Sequence, residues 1–167
     1  MSTAGRPEYH RSVPPMLPAL DDATRAAFGV DPGWSLGIRH RVRWSEVDPF
    51  DHANHAAYLE WFEEARNRYL EVVGLPPLSA TTPGPVLMRL EVEYLKALRY
   101  GDEALVTART AAVRRTSLRM EYAVWRGGLA ARCTAVFVLV VNATGERAAI
   151  PPEVRAAILA RDGAVEE

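Results

Sequence analysis

The 167-residue sequence predicts an α+β domain: one antiparallel sheet with a single long helix on its face. Three observations carry this. Apolar residues recur every three or four positions from residue 54 to 73. An alternating segment precedes that stretch, and four strand-like segments joined by short turns follow it. The turns are short enough to make chain neighbours antiparallel.

In chain order, residues 1–19 are polar and rich in proline, so a mobile or extended arm is expected. A short helix follows over 20–29, with Asp21 placed to cap it and Gly29 to end it. Residues 37–47 alternate: Ile38, His40, Val42 and Trp44 share one face, and Arg39, Arg41 and Arg43 share the other. The spacing predicts that this strand runs to Pro49. The long helix starts near Asn54 or His55 and carries Tyr58, Phe62, Ala65, Tyr69 and Val73 on one stripe, widened by Leu59 and Leu70. Glu64 and Arg68 stand in the favoured order for a helical ion pair. Gly74 and Pro76-Pro77 end the helix after about 20 residues, or about 30 Å. Strands are expected at 85–98, 104–115, 117–125 and 130–141, with Gly127-Gly128 marking a hairpin. A helix opening on proline closes the chain from residue 151. The expected organisation is an arm with a short helix over 1–35, one domain over 36–160 and a tail over 161–167.

A net charge of −1 gives no electrostatic reason to expect a nucleic-acid partner. Cys133 is the only cysteine, which rules out a disulfide framework within the chain and a cysteine-rich metal motif. It sits in an apolar strand and reads as a core thiol. No apolar run approaches the roughly 18 residues of a membrane span, and the N-terminus lacks the apolar centre of a signal peptide. A cytoplasmic protein without cofactor or metal is expected. Walker-type loops, GxGxxG after a strand and GxSxG elbows are missing from the sequence.

Chemistry concentrates in EVDPFDHANHAAYL, residues 46–59. Asp51 and Asn54 are suited to cap the helix. Asp48 lies too far upstream to do so. A helix start offers unpaired N–H groups and the positive end of the helix dipole, which stabilise a developing oxyanion. A carboxylate beside it can act as general base or as nucleophile. A thioester or ester carbonyl held between the two would be open to hydrolysis.

The stretch VRWSEVDPFDHANHAAYLEWFEEARNRYL resembles the signature of the 4-hydroxybenzoyl-CoA thioesterase branch of the hotdog-fold superfamily. LEVEYLKALRYGDEALV and RRTSLRMEY are similar to that family too, so the resemblance spans roughly 37–152. It implies the hotdog fold, a curved antiparallel sheet wrapped around one long central helix. It implies an acyl-CoA thioesterase assembled as a homodimer or homotetramer, with sites between subunits. Asp48 would be the catalytic carboxylate, and the backbone N–H near His55 would polarise the thioester carbonyl. Two alternatives are an acyl-ACP thioesterase acting on an acyl-carrier protein, and a non-catalytic module that binds acyl thioesters. Family members commonly carry Gly at the position of Asp51 and a second Asn at that of His55. The extra carboxylate would either raise the pKa of Asp48 by like-charge repulsion or point outward.

His52 is read either as a loop hydrogen-bonding residue or as a substrate-positioning, acid–base group. Plant-type acyl-ACP thioesterases have a His four residues after the Asp, as here, but Phe50 stands where they carry Asn. Asn54 and Tyr58 are candidate substrate contacts, Tyr58 as part of an acyl pocket. Arg114, Arg115, Ser117 and Arg119 form a basic turn and strand start, suited either to solvent or to the phosphates of coenzyme A. Lys96 and Arg99 are weaker candidates for that role. His40 reads as a structural strand residue.

Overall fold

A computed structural model describes residues 19–77, 79 and 81–167. The arm expected over residues 1–18 lies outside the described residues. The elements are α1 (Asp22–Phe28), β1 (Gly37–Arg41), α2 (His55–Val72), β2 (Pro83–Tyr94), β3 (Glu103–Val113), β4 (Ser117–Trp125), β5 (Leu129–Val141), α3 (Pro152–Asp162) and β6 (Val165–Glu166). They form an α+β fold around one six-stranded sheet, in the order β1-β3-β4-β5-β2, with β6 paired to β3. The β1–β3, β3–β4, β4–β5 and β5–β2 pairings are antiparallel, and β6 runs parallel to β3. Among the described residues, no helix is long and apolar enough to cross a membrane.

The apolar stripe of α2 lies against one sheet face. Tyr58, Phe62, Ala65, Tyr69, Leu70 and Val73 are buried in one cluster with Leu118, Met120, Tyr122 and Val124 of β4 and Phe137 of β5. The Phe62 and Tyr122 rings lie 5.3 Å apart. Trp61 joins the stripe, whereas Leu59 is exposed. The helix has 18 residues, about 27 Å at 1.5 Å each. Arg68 pairs with Glu71, one turn further on, rather than with Glu64. Cys133 is buried, and burial pushes its thiol up to about 12.

β2 and β3 are not neighbours, although a turn-like sequence joins them. Residues 95–102 instead cross the end of the sheet. Leu95 and Lys96 donate their N–H groups to the Ala130 carbonyl of β5. Lys96 Nζ then reaches the Arg126 carbonyl, and Arg126 pairs with Asp102 at the start of β3. Leu98, fully buried within this crossover, offers its carbonyl to Ala53 N–H in the loop before α2. The crossover therefore sets the position of that loop.

A second, smaller cluster covers the opposite sheet face: Phe28, Trp34, Leu105, Ala123 and Trp125. It draws α1 and the segment after it onto the sheet. Gly29 ends α1 at φ 67°, and the Phe28 carbonyl accepts from Gly128 N–H at 2.9 Å. A Cβ on Gly29 would stand 2.5 Å from that nitrogen.

β1 stops at Arg41 rather than continuing to Pro49, because Trp44–Glu46 closes a 3-10 turn. The alternation survives through buried Val42 and breaks at Trp44, which is 75% exposed. Glu46 makes the turn. Its Oε2 accepts from Arg43 N–H at 2.7 Å and lies 3.0 Å from His40 Nε2. Its Oε1 accepts from Arg43 Nε (3.1 Å), Arg43 Nη2 (2.9 Å) and Trp61 Nε1 (3.0 Å). The residue is only 6% exposed. Burial alone would raise its pKa, but the hydrogen bonds from the Arg43 backbone, Trp61, His40 and the Arg43 side chain outweigh it. They hold the carboxyl at about 2.

Two outcomes test this architecture. Gly29→Ala strains a left-handed position and collides with Gly128; denaturant unfolding should show a loss of about 2 kcal/mol. The folded-state pKa of Glu46 lies below its unfolded value of 4.5, so its stabilisation is full above that pH and is lost as pH falls toward about 2. Across that window the native protein should lose roughly 3 kcal/mol that Glu46→Gln does not lose. At neutral pH the variant should already be less stable, since the donors around residue 46 lose their anion. Parallel acid limbs in the two proteins would refute the role given to Glu46.

Candidate active site

Residues 47–54 form a tight loop between the 3-10 turn and α2. Val47 and Ala53 form an isolated antiparallel bridge. Between them, Asp48 N–H donates to the His52 carbonyl (2.9 Å), and Asp51 N–H donates to the Asp48 carbonyl (3.0 Å). Pro49 fits the second position of that turn, where its fixed φ is already correct. Asp51 adopts φ 60°, the left-handed conformation that Gly takes freely and Asp tolerates.

The Asp51 carboxylate turns outward to form an ion pair with Arg99 of the crossover. It does not cap α2. Asn54 is the cap: its Oδ1 accepts from Ala56 N–H at 2.9 Å, and its carbonyl accepts from Ala57 N–H. Asn54 N–H donates to the Glu46 carbonyl at 2.7 Å, so the residue that closes the turn also pins the helix start. The cap engages Oδ1 of the Asn54 side chain, which the sequence offers as a substrate contact; among the described residues its Nδ2 makes no hydrogen bond.

Asp48 and the helix start are left with complementary unused groups. Asp48 Oδ1 accepts from Phe50 N–H (2.8 Å) and His52 N–H (3.2 Å). Among the described residues, Oδ2 makes no hydrogen bond. The first N–H of α2, on His55, has no partner there either, while those of Ala56 and Ala57 are taken by Asn54. Asp48 and His55 line one groove of about 380 Å³, together with His52, Ala53, Tyr58, Tyr94, Leu95, Lys96 and Ala97. That volume is at the small end of ordinary ligand pockets.

The groove wall is aromatic. Tyr94 meets Tyr58 edge-on at 5.1 Å, and Tyr58 meets Trp61 at 4.6 Å. The row ends on Trp61, which holds Glu46, so the wall is tied to the buried carboxylate. Tyr58 is 3% exposed. Burial pushes its hydroxyl up to about 12, which keeps it neutral. Tyr94 Oη lies 3.4 Å from the His55 carbonyl.

Sequence reasoning did not single out Glu46 or Tyr94 for the site. Tyr94 was signalled by the alternation Leu90, Val92, Tyr94, whose first two members pack on the helix-side core. Lys96, a weak candidate for phosphate contact, lines the groove instead.

Arg114, Arg115, Ser117 and Arg119 are not brought to this groove within the chain. They lie where β3 ends and β4 begins, whereas the 47–54 loop sits by the start of β3. The 11 residues of β3 separate the two places by roughly 35 Å. Among the described residues, no group of three or more His, Cys, Asp or Glu side chains is placed to hold a metal ion.

Comparison with known proteins gives the family. A protein of Aquifex aeolicus (strain VF5) named "Putative esterase" is 31% identical over 119 residues, 70% of this chain and 91% of that protein. A thioesterase-superfamily structure from Jannaschia sp. CCS1 superposes with TM-score 0.81 at 32% identity, covering 93% of this chain and all of that one. A Thermus thermophilus thioesterase in complex with coenzyme A and Zn superposes with TM-score 0.69 at 34% identity, over 80% of this chain and 98% of that one. Residues 42–158, from the end of β1 into α3, match the thioesterase-like superfamily. With the loop, the helix start and the sheet in place, the chain belongs to that superfamily.

Proposed function

We propose that the protein hydrolyses an acyl-CoA thioester to the free acid and coenzyme A, with Asp48 as the catalytic carboxylate. One observation carries the reading: Asp48, whose Oδ2 is unbonded, and His55, whose N–H is without a partner among the described residues, line the same groove. A thioester carbonyl oxygen facing that N–H is polarised, and the helix dipole adds to the effect. On the general-base route, Asp48 Oδ2 takes a proton from water as the water oxygen bonds to the carbonyl carbon. The tetrahedral intermediate then expels the thiolate, which recovers the proton. On the nucleophilic route, Oδ2 attacks the carbonyl carbon, the C–S bond breaks to release the thiolate, and water hydrolyses the resulting anhydride, returning the Asp48 carboxylate and giving its proton to the thiolate. His52, whose N–H already bonds Asp48, borders the reacting group, and Tyr58 and Tyr94 form the acyl wall. The hotdog arrangement, with the sheet curved about α2, belongs to the same reading; the shared core of α2, β4 and β5 supports it.

Coenzyme A as the leaving group is supported by the coenzyme A complex of the Thermus relative and by the arginine cluster. The cluster is remote within one chain, and a homodimer removes the difficulty. β2 is an edge strand of 12 residues, unpaired on its outer side among the described residues, with Val86, Leu87 and Met88 about half exposed. An unprotected apolar edge invites a second copy. Two-fold pairing of β2 edges is antiparallel. It sets the Pro83 end of one strand beside the Tyr94 end of the other. Ser117 lies at the Val86 level through Val138, so the partner's Arg114 and the partner's Arg119 approach this chain's groove.

Asp48→Asn retains an Oδ1 acceptor for the Phe50 and His52 N–H groups, so the loop should persist. Thiol release from a panel of acyl-CoAs should fall by about 10²–10⁴-fold in this variant. Near-normal turnover would end the assignment. Hydrolysis of carrier-protein thioesters alone would move the substrate to acyl-ACP, and binding without turnover would leave a non-catalytic module. Replacing Leu87 and Met88 by Lys should convert a sedimenting dimer to monomer and reduce turnover. A native protein that sediments as a monomer would contradict the shared site.

A further inference from the structure

The arginines at the far end of the sheet are occupied by the chain's own tail. After α3, residues 163–167 turn back, and β6 adds to the β3 edge in parallel, with Val165 beside Ala112 and Glu166 beside Val113. Glu167 N–H donates to the Val113 carbonyl at 3.1 Å. This places the Glu167 carboxylate between two guanidinium groups. Its Oε2 accepts from Arg114 Nε (3.0 Å) and lies 2.9 Å from Arg114 Nη2, and its Oε1 accepts from Arg119 Nη2 (3.4 Å). Glu166 Oε1 accepts from Arg155 Nη1 at 2.9 Å, and Arg155 Nη2 is fixed on the Arg114 carbonyl at 2.6 Å. Three arginines from β4, α3 and the turn after β3 thus converge on two tail carboxylates.

We infer that Glu166 and Glu167 mask an anion site built for phosphate, and that a phosphate-bearing ligand must displace them to bind. The inference rests on the thioesterase reading, which gives these arginines to the coenzyme A phosphates. Carboxylate and phosphate compete for the same guanidinium fork. The tail is held weakly enough to yield. β6 has two residues, Val165 is 58% exposed, and the Glu166 side chain is 60% exposed. Exposed ion pairs and a short strand with no buried side chain belong to the least stable part of a fold. The tail therefore sets a threshold for ligand entry at the phosphate end of the site, a strand length from the reacting carboxylate.

The test is calorimetric titration of coenzyme A into three full-length proteins: native, Glu166→Gln/Glu167→Gln and Arg114→Gln/Arg119→Gln. The glutamine tail keeps its length and its backbone bonds. It should bind coenzyme A roughly five-fold tighter than native, with the gap closing as salt is raised. The arginine variant should bind more weakly than native. Equal or weaker affinity in the tail variant, with binding lost in the arginine variant, overturns the masking and leaves the phosphate site standing. Native-like affinity in the arginine variant overturns the phosphate site and the masking with it. Coenzyme A that binds none of the three overturns the substrate class itself. Thiol release at saturating acyl-CoA, assayed separately, reports on Asp48 and not on the tail.

Discussion

Glu46 is the group through which the neighbourhood of the site is assembled. Its carboxylate is taken out of water, which is unfavourable for an isolated anion. Five contacts from β1, the 3-10 turn and α2 compensate, and they hold it ionised. Because those donors come from separate segments, satisfying the anion requires the segments to meet. The Glu46 carbonyl then receives Asn54 N–H, fixing where α2 begins. Asp48 follows two residues later on a loop closed at both ends, by Val47 and Ala53. The Asp48 carboxylate is thus placed by a buried neighbour whose own oxygens are both hydrogen-bonded. Asp48 itself is half-buried and keeps one oxygen unbonded.

The same division of labour appears in the two other acids of the loop region. Asp51 stands at a turn position that demands a left-handed backbone, and its charge is directed to Arg99. Asp102 bonds Arg99 N–H and Arg126, tying the crossover to the β4–β5 hairpin. Each has a cationic partner, which leaves Asp48 as the loop carboxylate without one among the described residues. At the other end of the sheet, the positive charge of Arg114 and Arg119 is answered by the tail. The molecule therefore carries the Asp48 carboxylate and its basic cluster at opposite ends of one strand.

How much of this the sequence displays depends on the range of the interactions. The α2 stripe and the alternation in β4 reflect local periodicity, and Tyr58 to Val73 and Leu118 to Val124 lie as their spacing predicts. Caps are local too, and Asp21, Asn54 and the Gly29 terminus read directly. The crossover does not, because residues 95–102 resemble a hairpin turn; only the pairing of β2 with β5 shows that they span the sheet. Glu46 falls inside the alternation that reads as a strand over 37–47. Its burial depends on His40, Arg43 and Trp61 converging, and Arg43, unlike the Ser or Thr that opens a capping box, does not announce it. The arginine cluster was visible as charge. Its distance from Asp48 follows only once the direction of β3 is known, and its occupation by Glu167 only once the tail is seen to return.

The most direct test of the account is a crystal structure with an acyl-CoA analogue in which a ketone methylene replaces the thioester sulfur. The account predicts the ketone oxygen within about 3 Å of His55 N, with Asp48 Oδ2 facing the carbonyl carbon. The analogue's phosphates would rest on the partner's Arg114 and the partner's Arg119. A ketone seated away from the first turn of α2, with Asp48 turned from it, would contradict the placement of the chemistry at the helix start.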